Sequence, residues 1–126
     1  MCGIAGTLGP TAPDAARIQA ALATMDRRGP DASGERVLSF GEQQVALLHT
    51  RLSIIDLDPR ANQPFERDGL VFTYNGEIYN YLEVKADLEA LGHKFQTSSD
   101  TEVLAASWRQ WGPKALDRLE GMWAFA

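Results

Sequence analysis

Three Gly-Pro pairs, at residues 9–10, 29–30 and 112–113, divide this chain before any periodicity is considered. Proline brings no amide hydrogen and biases its predecessor away from helix, while glycine weakens both regular structures. Neither a helix nor a strand is expected to run through such a pair. Each segment must therefore be built from short elements, and the 44% hydrophobic and 23% charged content suits one folded domain rather than a disordered chain.

Ile4 to Leu8 reads as a strand closed by Gly9-Pro10. Thr11 to Arg28 reads as a helix, with Thr11 or Asp14 as cap, Pro13 in its first turn and Ile18, Leu22 and Met25 on its buried face. After the polar loop 28–34, strands around Arg36 to Phe40 and Val45 to His49 form a hairpin through Gly41-Glu42. Leu52 to Leu57, with Ile54-Ile55, predicts a third short strand, and 58–64 a connecting loop. Leu70 to Tyr74 runs into Asn75-Gly76, a strong hairpin signal because both turn positions need positive φ; Glu77 to Tyr79 would continue as the return strand. Asn80 with Glu83 opens a helix whose stripe is Val84, Leu88 and Leu91, and His93 to Gln96 reads as a weak strand. Ser99 with Glu102 opens another, with Val103, Leu104, Trp108 and Trp111 read as core. A short helix over 114–119 and an apolar strand over 121–126 complete an α+β pattern of antiparallel sheets partly covered by helices.

With 12 basic against 17 acidic residues the net charge is -5, which gives no general attraction for nucleic acid or an anionic membrane surface. No apolar run approaches a membrane span and no signal-peptide pattern opens the chain, so a cytoplasmic location is expected. The single cysteine cannot close an intrachain disulfide. Two distant histidines and one cysteine have no metal-ligand spacing, so no metal is expected.

That cysteine is Cys2. Removal of Met1 would leave a thiol and a free α-amino group on one residue, and a terminal amine is an accepted base for its own side chain. By position alone, the favoured reading of Cys2 is a small apolar residue at a strand start. Arg51, beside His49, offers a planar fork for a carboxylate, or is an ordinary solvated or ion-paired arginine. Asn75 and the Gly76 amide can serve as donors to an oxyanion, or simply make a turn. The carboxylates in Ser98-Ser99-Asp100-Thr101-Glu102 are also ordinary caps. Together these residues suit thiolate attack on the side-chain acyl group of an amino acid, with Arg51 on its α-carboxylate and Glu77 and Asp100 near its α-ammonium. His49 and His93 are read as structural, and Arg27 and Arg28 as a solvated pair at a helix end.

Cys2-Gly3-Ile4, Arg28-Gly29-Pro30-Asp31, His49 to Asp56, Asn62-Gln63-Pro64, Tyr74 to Asn80 and Ser99-Asp100-Thr101-Glu102 resemble, in order, the glutaminase domain of the glutamine-hydrolysing asparagine synthetases. These are class II amidotransferases with an N-terminal nucleophile. The resemblance implies an αββα sandwich of antiparallel sheets flanked by helices, with Cys2 as nucleophile, Asn75 and Gly76 as oxyanion hole and Arg51, Glu77 and Asp100 binding L-glutamine. It implies no cofactor for this domain. ATP and Mg are expected for a C-terminal synthetase domain that residues 1–126 lack and that amidates aspartate with the released ammonia. It also implies further sheet strands beyond Ala126, so the domain is expected to be truncated on that side. A homodimer, a different ammonia acceptor and a non-catalytic glutamine- or partner-binding fragment stay open.

Overall fold

The apolar Val37, Leu38 and Phe40 favour extended chain, and the chain reverses at Gly41, whose φ of 60° suits a residue without a side chain. The result, in a computed structural model that describes residues 1–126, is the expected hairpin of β2 (Ala32–Phe40) and β3 (Gln43–Arg51), with register Ala32↔Arg51 to Phe40↔Gln43. The chain forms two compact units: Met1–Ser53, Asn62–Asn75 and Ala124–Ala126 make the first, Ile54–Ala61 and Gly76–Trp123 the second.

In the first unit, β1 (Gly3–Gly9) pairs antiparallel with the free edge of β3, giving the order β1-β3-β2. The central strand is therefore the buried one, continuously from Ala46 to Arg51. Helix α1 (Ala15–Met25) lies on one face, its Ile18 and Leu22 packed with Leu48, Ala5, Ala21 and Met25. Asp14, not Thr11, is its cap: Asp14 Oδ1 accepts from the Arg17 amide at 2.9 Å. A 3₁₀ turn, Asp26–Arg28, carries the chain to Gly29-Pro30.

A second hairpin joins β4 (Phe65–Arg67) to β5 (Leu70–Phe72), with the Phe65 and Phe72 rings 5.8 Å apart. Its turn is Asp68-Gly69, with φ of 50° and 79°. This corrects the expectation at Asn75-Gly76, which makes no turn: both lie inside one strand, β6 (Tyr74–Ile78). Thr73 donates to and accepts from Ala126 at 2.9 and 3.0 Å, which sets antiparallel pairing with β7 (Gly121–Phe125).

In the second unit, α2 (Tyr81–Ala90) and α3 (Asp100–Trp111) pack through the buried Val84, Leu88, Val103 and Leu104. Each such side chain contributes roughly 1.5–3 kcal/mol by leaving water. Ser99 caps α3, its Oγ accepting from the Thr101 amide at 3.1 Å. Asn80 does not cap α2; its Nδ2 donates to Arg118 O and its Oδ1 accepts from the Glu120 amide, each at 2.9 Å. Leu91 is exposed, and Trp108 and Trp111 are half-buried rather than core, with the Arg118 guanidinium 4.3 Å above the Trp111 ring. Residues 112–118 form a 3₁₀ helix. Neither 52–57 nor 93–96 forms a strand; Ile54 is 68% exposed, so nothing on its side completes a sheet. The class is α+β with antiparallel sheets, and no helix is long and apolar enough to cross a membrane.

Candidate active site

The register of β1 on β3 decides where the only thiol sits. Gly3 is opposite Thr50, so Cys2 lies one step further on, abreast of the end of β3. Its Sγ accepts from the Leu52 amide at 3.4 Å and lies 3.7 Å from Leu52 O, to which the thiol donates. Packing around this step is close: a Cβ on Gly3 would come within 2.6 Å of Thr50 Oγ1 and 2.9 Å of Met25 Cβ. Arg28 Nε donates to Cys2 O at 3.1 Å. Arg28 therefore contacts the cysteine backbone rather than standing only as a solvated partner of Arg27. Cys2 is half-buried and Met1 is 61% exposed.

Arg51 ends β3 at the same end of the sheet and is buried, which removes the reading of it as a solvated arginine. Its Nη1 donates to Asn62 Oδ1 at 2.6 Å, so one arm of the fork is fixed by a neutral amide. The Arg51 carbonyl accepts from the Asp31 amide at 2.9 Å, and Asp31 Oδ2 accepts from the Ser53 amide at 2.7 Å. The Arg28-Gly29-Pro30-Asp31 loop is thereby stitched to the strand end that carries Arg51.

His49 is wholly buried, and its Nε2 donates to Tyr74 O at 3.2 Å, which assigns the proton to that nitrogen. Burial lowers its pKa to about 4, against the pull of the Tyr74 carbonyl and with help from the Arg51 charge. It is a neutral structural residue at pH 7, as the sequence suggested. The Tyr74 amide donates to Gln63 Oε1 at 2.5 Å. Next along the strand, Asn75 Oδ1 is buried and accepts no hydrogen bond, an exception among buried polar atoms.

Gly76, Glu77 and Asp100 belong to the second unit. A Cβ on Gly76 would overlap Met122 O and lie 2.6 Å from Trp123 Cα, so the glycine is required by the closeness of β7. Asp100 is buried and its Oδ2 accepts from the Ile78 amide at 3.1 Å, which ties the start of α3 to the residue after Glu77. Glu77 itself is exposed.

Within the first unit, then, Cys2 and Arg51 share one end of a sheet, and Asn75 follows a residue bonded to that sheet through His49. Within the second, Asp100 is bonded to the backbone beside Glu77. Asn62 and Gln63 were visible in the sequence only as polar members of a loop motif, and their bonds to Arg51 and Tyr74 depend on chain reversals that no local pattern announces. No group of three or more His, Cys, Asp or Glu side chains is arranged to hold a metal ion.

The sequence pattern of the family described as "Glutamine amidotransferase domain" matches residues 1–126. The chain belongs to this family. The amidotransferase domain is 39% identical over 132 residues to asparagine synthetase [glutamine-hydrolyzing] 1 of Bacillus subtilis (strain 168), covering 99% of this chain and 20% of that protein. It is 42% identical over 130 residues to asparagine synthetase [glutamine-hydrolyzing] 2 of Oryza sativa subsp. japonica, covering 99% of this chain and 21% of that one. A third relative, from Zea mays and named in the same way, is 40% identical over 130 residues, with 99% and 21% covered. The chain thus spans about a fifth of the length of the curated relatives it matches. Similarity falls on the part that holds Cys2, Arg51, Asn75, Gly76, Glu77 and Asp100.

Proposed function

We propose that this amidotransferase domain hydrolyses L-glutamine to glutamate and ammonia through a cysteinyl thioester. The observation that carries the reading is Cys2 Sγ held against the Leu52 peptide, at the sheet end where Arg51 is buried and fixed by Asn62. While Met1 is attached, the Cys2 nitrogen is an amide and cannot act as a base. Its removal frees an amine, and the exposure of Met1 supports access for that cleavage.

In the proposed reaction the amine takes the thiol proton and sulfur attacks the glutamine side-chain carbonyl carbon. The oxyanion is held by the Asn75 amide and the Gly76 N–H, Arg51 receives the α-carboxylate, and Glu77 and Asp100 receive the α-ammonium. Collapse breaks the C–N bond, and the leaving nitrogen takes the proton from the terminal amine and departs as ammonia. Water then attacks the thioester, giving glutamate and restoring the thiol. In the longer protein the ammonia would pass to a C-terminal synthetase domain that amidates aspartate with ATP and Mg, a proposal supported by the names and lengths of the relatives. No residue of this chain is assigned to ATP or Mg.

The test is direct. Intact mass is expected to lack Met1, and ammonia release from glutamine is expected to vanish in Cys2→Ala. Undiminished release by that variant would overturn the mechanism.

A further inference from the structure

Antiparallel strands point the N–H and C=O of successive residues to opposite edges. Thr73 spends both of its groups on Ala126, so Tyr74 turns both of its own to the other edge of β6. That edge meets two side chains from elsewhere in the same unit. Gln63 Oε1 accepts from the Tyr74 amide at 2.5 Å, and His49 Nε2 donates to the Tyr74 carbonyl at 3.2 Å. Both partners are buried, Gln63 at 7% exposure and His49 at 0%. Gln63 is itself fixed: the backbone of β2 comes so close at Gly34 that a Cβ there would overlap Gln63 O.

We propose that Gln63 is a positioning residue of the glutaminase, which together with His49 grips both peptide groups of Tyr74 and so sets the place of Asn75. This rests on the reading of Asn75 as an oxyanion-hole residue. Neither Gln63 nor His49 touches substrate in this account. Their action is through the strand: the carbonyl held by His49 belongs to the peptide that supplies the Asn75 nitrogen, so a tilt of this unit moves the Asn75 side chain. An oxyanion hole acts mainly in the transition state, so its displacement lowers kcat more than it raises KM.

The experiment compares Gln63→Leu, which removes the acceptor, with Gln63→Glu, which keeps an acceptor oxygen at the same reach. In the whole protein, Gln63→Leu is expected to lower glutaminase kcat about 10- to 100-fold with KM for glutamine within about 2-fold. Gln63→Glu is expected to recover most of that loss. Equal losses in the two variants, an unchanged kcat in Gln63→Leu, or a change in KM alone would overturn the proposal. A measurement on the unaltered protein guards against a Leu variant that does not fold: the Tyr74 amide should exchange with solvent as slowly as that of Leu48 in the central strand. Fast exchange at Tyr74 overturns the grip whatever the variants do. Cys2→Ala separates this from the underlying reading, because unimpaired ammonia release there defeats the glutaminase, whereas a wild-type kcat in Gln63→Leu defeats only the positioning role.

Discussion

The end of β3 and the start of α3 are secured in opposite ways. Around β3, backbone ladders run from Gly3↔Thr50 to Gly9↔Gln44 on one edge and from Ala32↔Arg51 to Phe40↔Gln43 on the other. Around α3, single carboxylates tie separate backbone segments together. Glu102 accepts from the Gln96 and Thr97 amides and from Thr97 Oγ1, Asp56 accepts from the Asp58 and Ser98 amides and from Ser98 Oγ, and Asp100 accepts from Ile78. A ladder spreads its strength over many peptide groups that no side-chain substitution removes, whereas a carboxylate knot concentrates it in one residue and one charge state. Cys2 and Arg51 are placed by the first kind of construction, Asp100 by the second.

The strongest test of that contrast is Glu102→Ala. It takes the shared charged acceptor away from two part-buried amides and a hydroxyl, and should cost about 4 kcal/mol, read as a lower urea midpoint; a loss below about 1 kcal/mol would mean that water or neighbouring groups replace the knot. The ladder side has a pH-sensitive member in its central strand, His49. The folded protein holds it near 4 and the unfolded chain near 6.5, so between those values the unfolded state binds the extra proton. Its contribution should be whole above about pH 6.5 and fade as pH falls toward 4, by up to about 3 kcal/mol. Urea titrations at several pH values should show that slope, and His49→Gln should abolish it.

A smaller effect is expected at Asp56. The Asp58 amide, followed by the Ser98 donors, holds its carboxyl below the usual range despite the opposing effect of burial. Its stabilisation is therefore present above the ordinary carboxylate pKa and lost as pH falls through the lowered one. Asp56→Ala should cost about 2 kcal/mol at neutral pH. Least of all should come from Arg36→Ala. Its pairing with Glu66 joins side chains about half exposed, and its removal should cost under about 1 kcal/mol and less in high salt.

What was legible in the sequence follows the same division. The β2–β3 hairpin, the span of α3 and the Ser99 cap rest on local chemistry and were read correctly. Asn75-Gly76 carries a turn signal yet lies within a strand, because the same dipeptide that permits positive φ also permits close approach, and only the position of Met122 and Trp123 distinguishes the two. The real turn, Asp68-Gly69, carries an equally good local signal between two strands of three residues each, too short to show alternation. Ile54-Ile55 has the side chains of a strand but no partner to pair with. Cys2 and Arg51 could be singled out as reactive and fork-shaped residue types. Their meeting at one sheet end could not, because it depends on a pairing across some fifty residues of chain.

The crowding at Gly76 and Gly34 can also be expressed as a forecast for a saturation-mutagenesis library. At Gly41 and Gly69 an added Cβ meets nothing within 4 Å, and the left-handed backbone still admits asparagine or aspartate, so a few amino acids should survive selection for folded protein. At Gly34 and Gly76 the obstacle is a neighbouring main chain, which no choice of side chain can move aside. Those two columns should empty completely, alanine included, and this would mark the paths of Gln63 and β7 without a single coordinate.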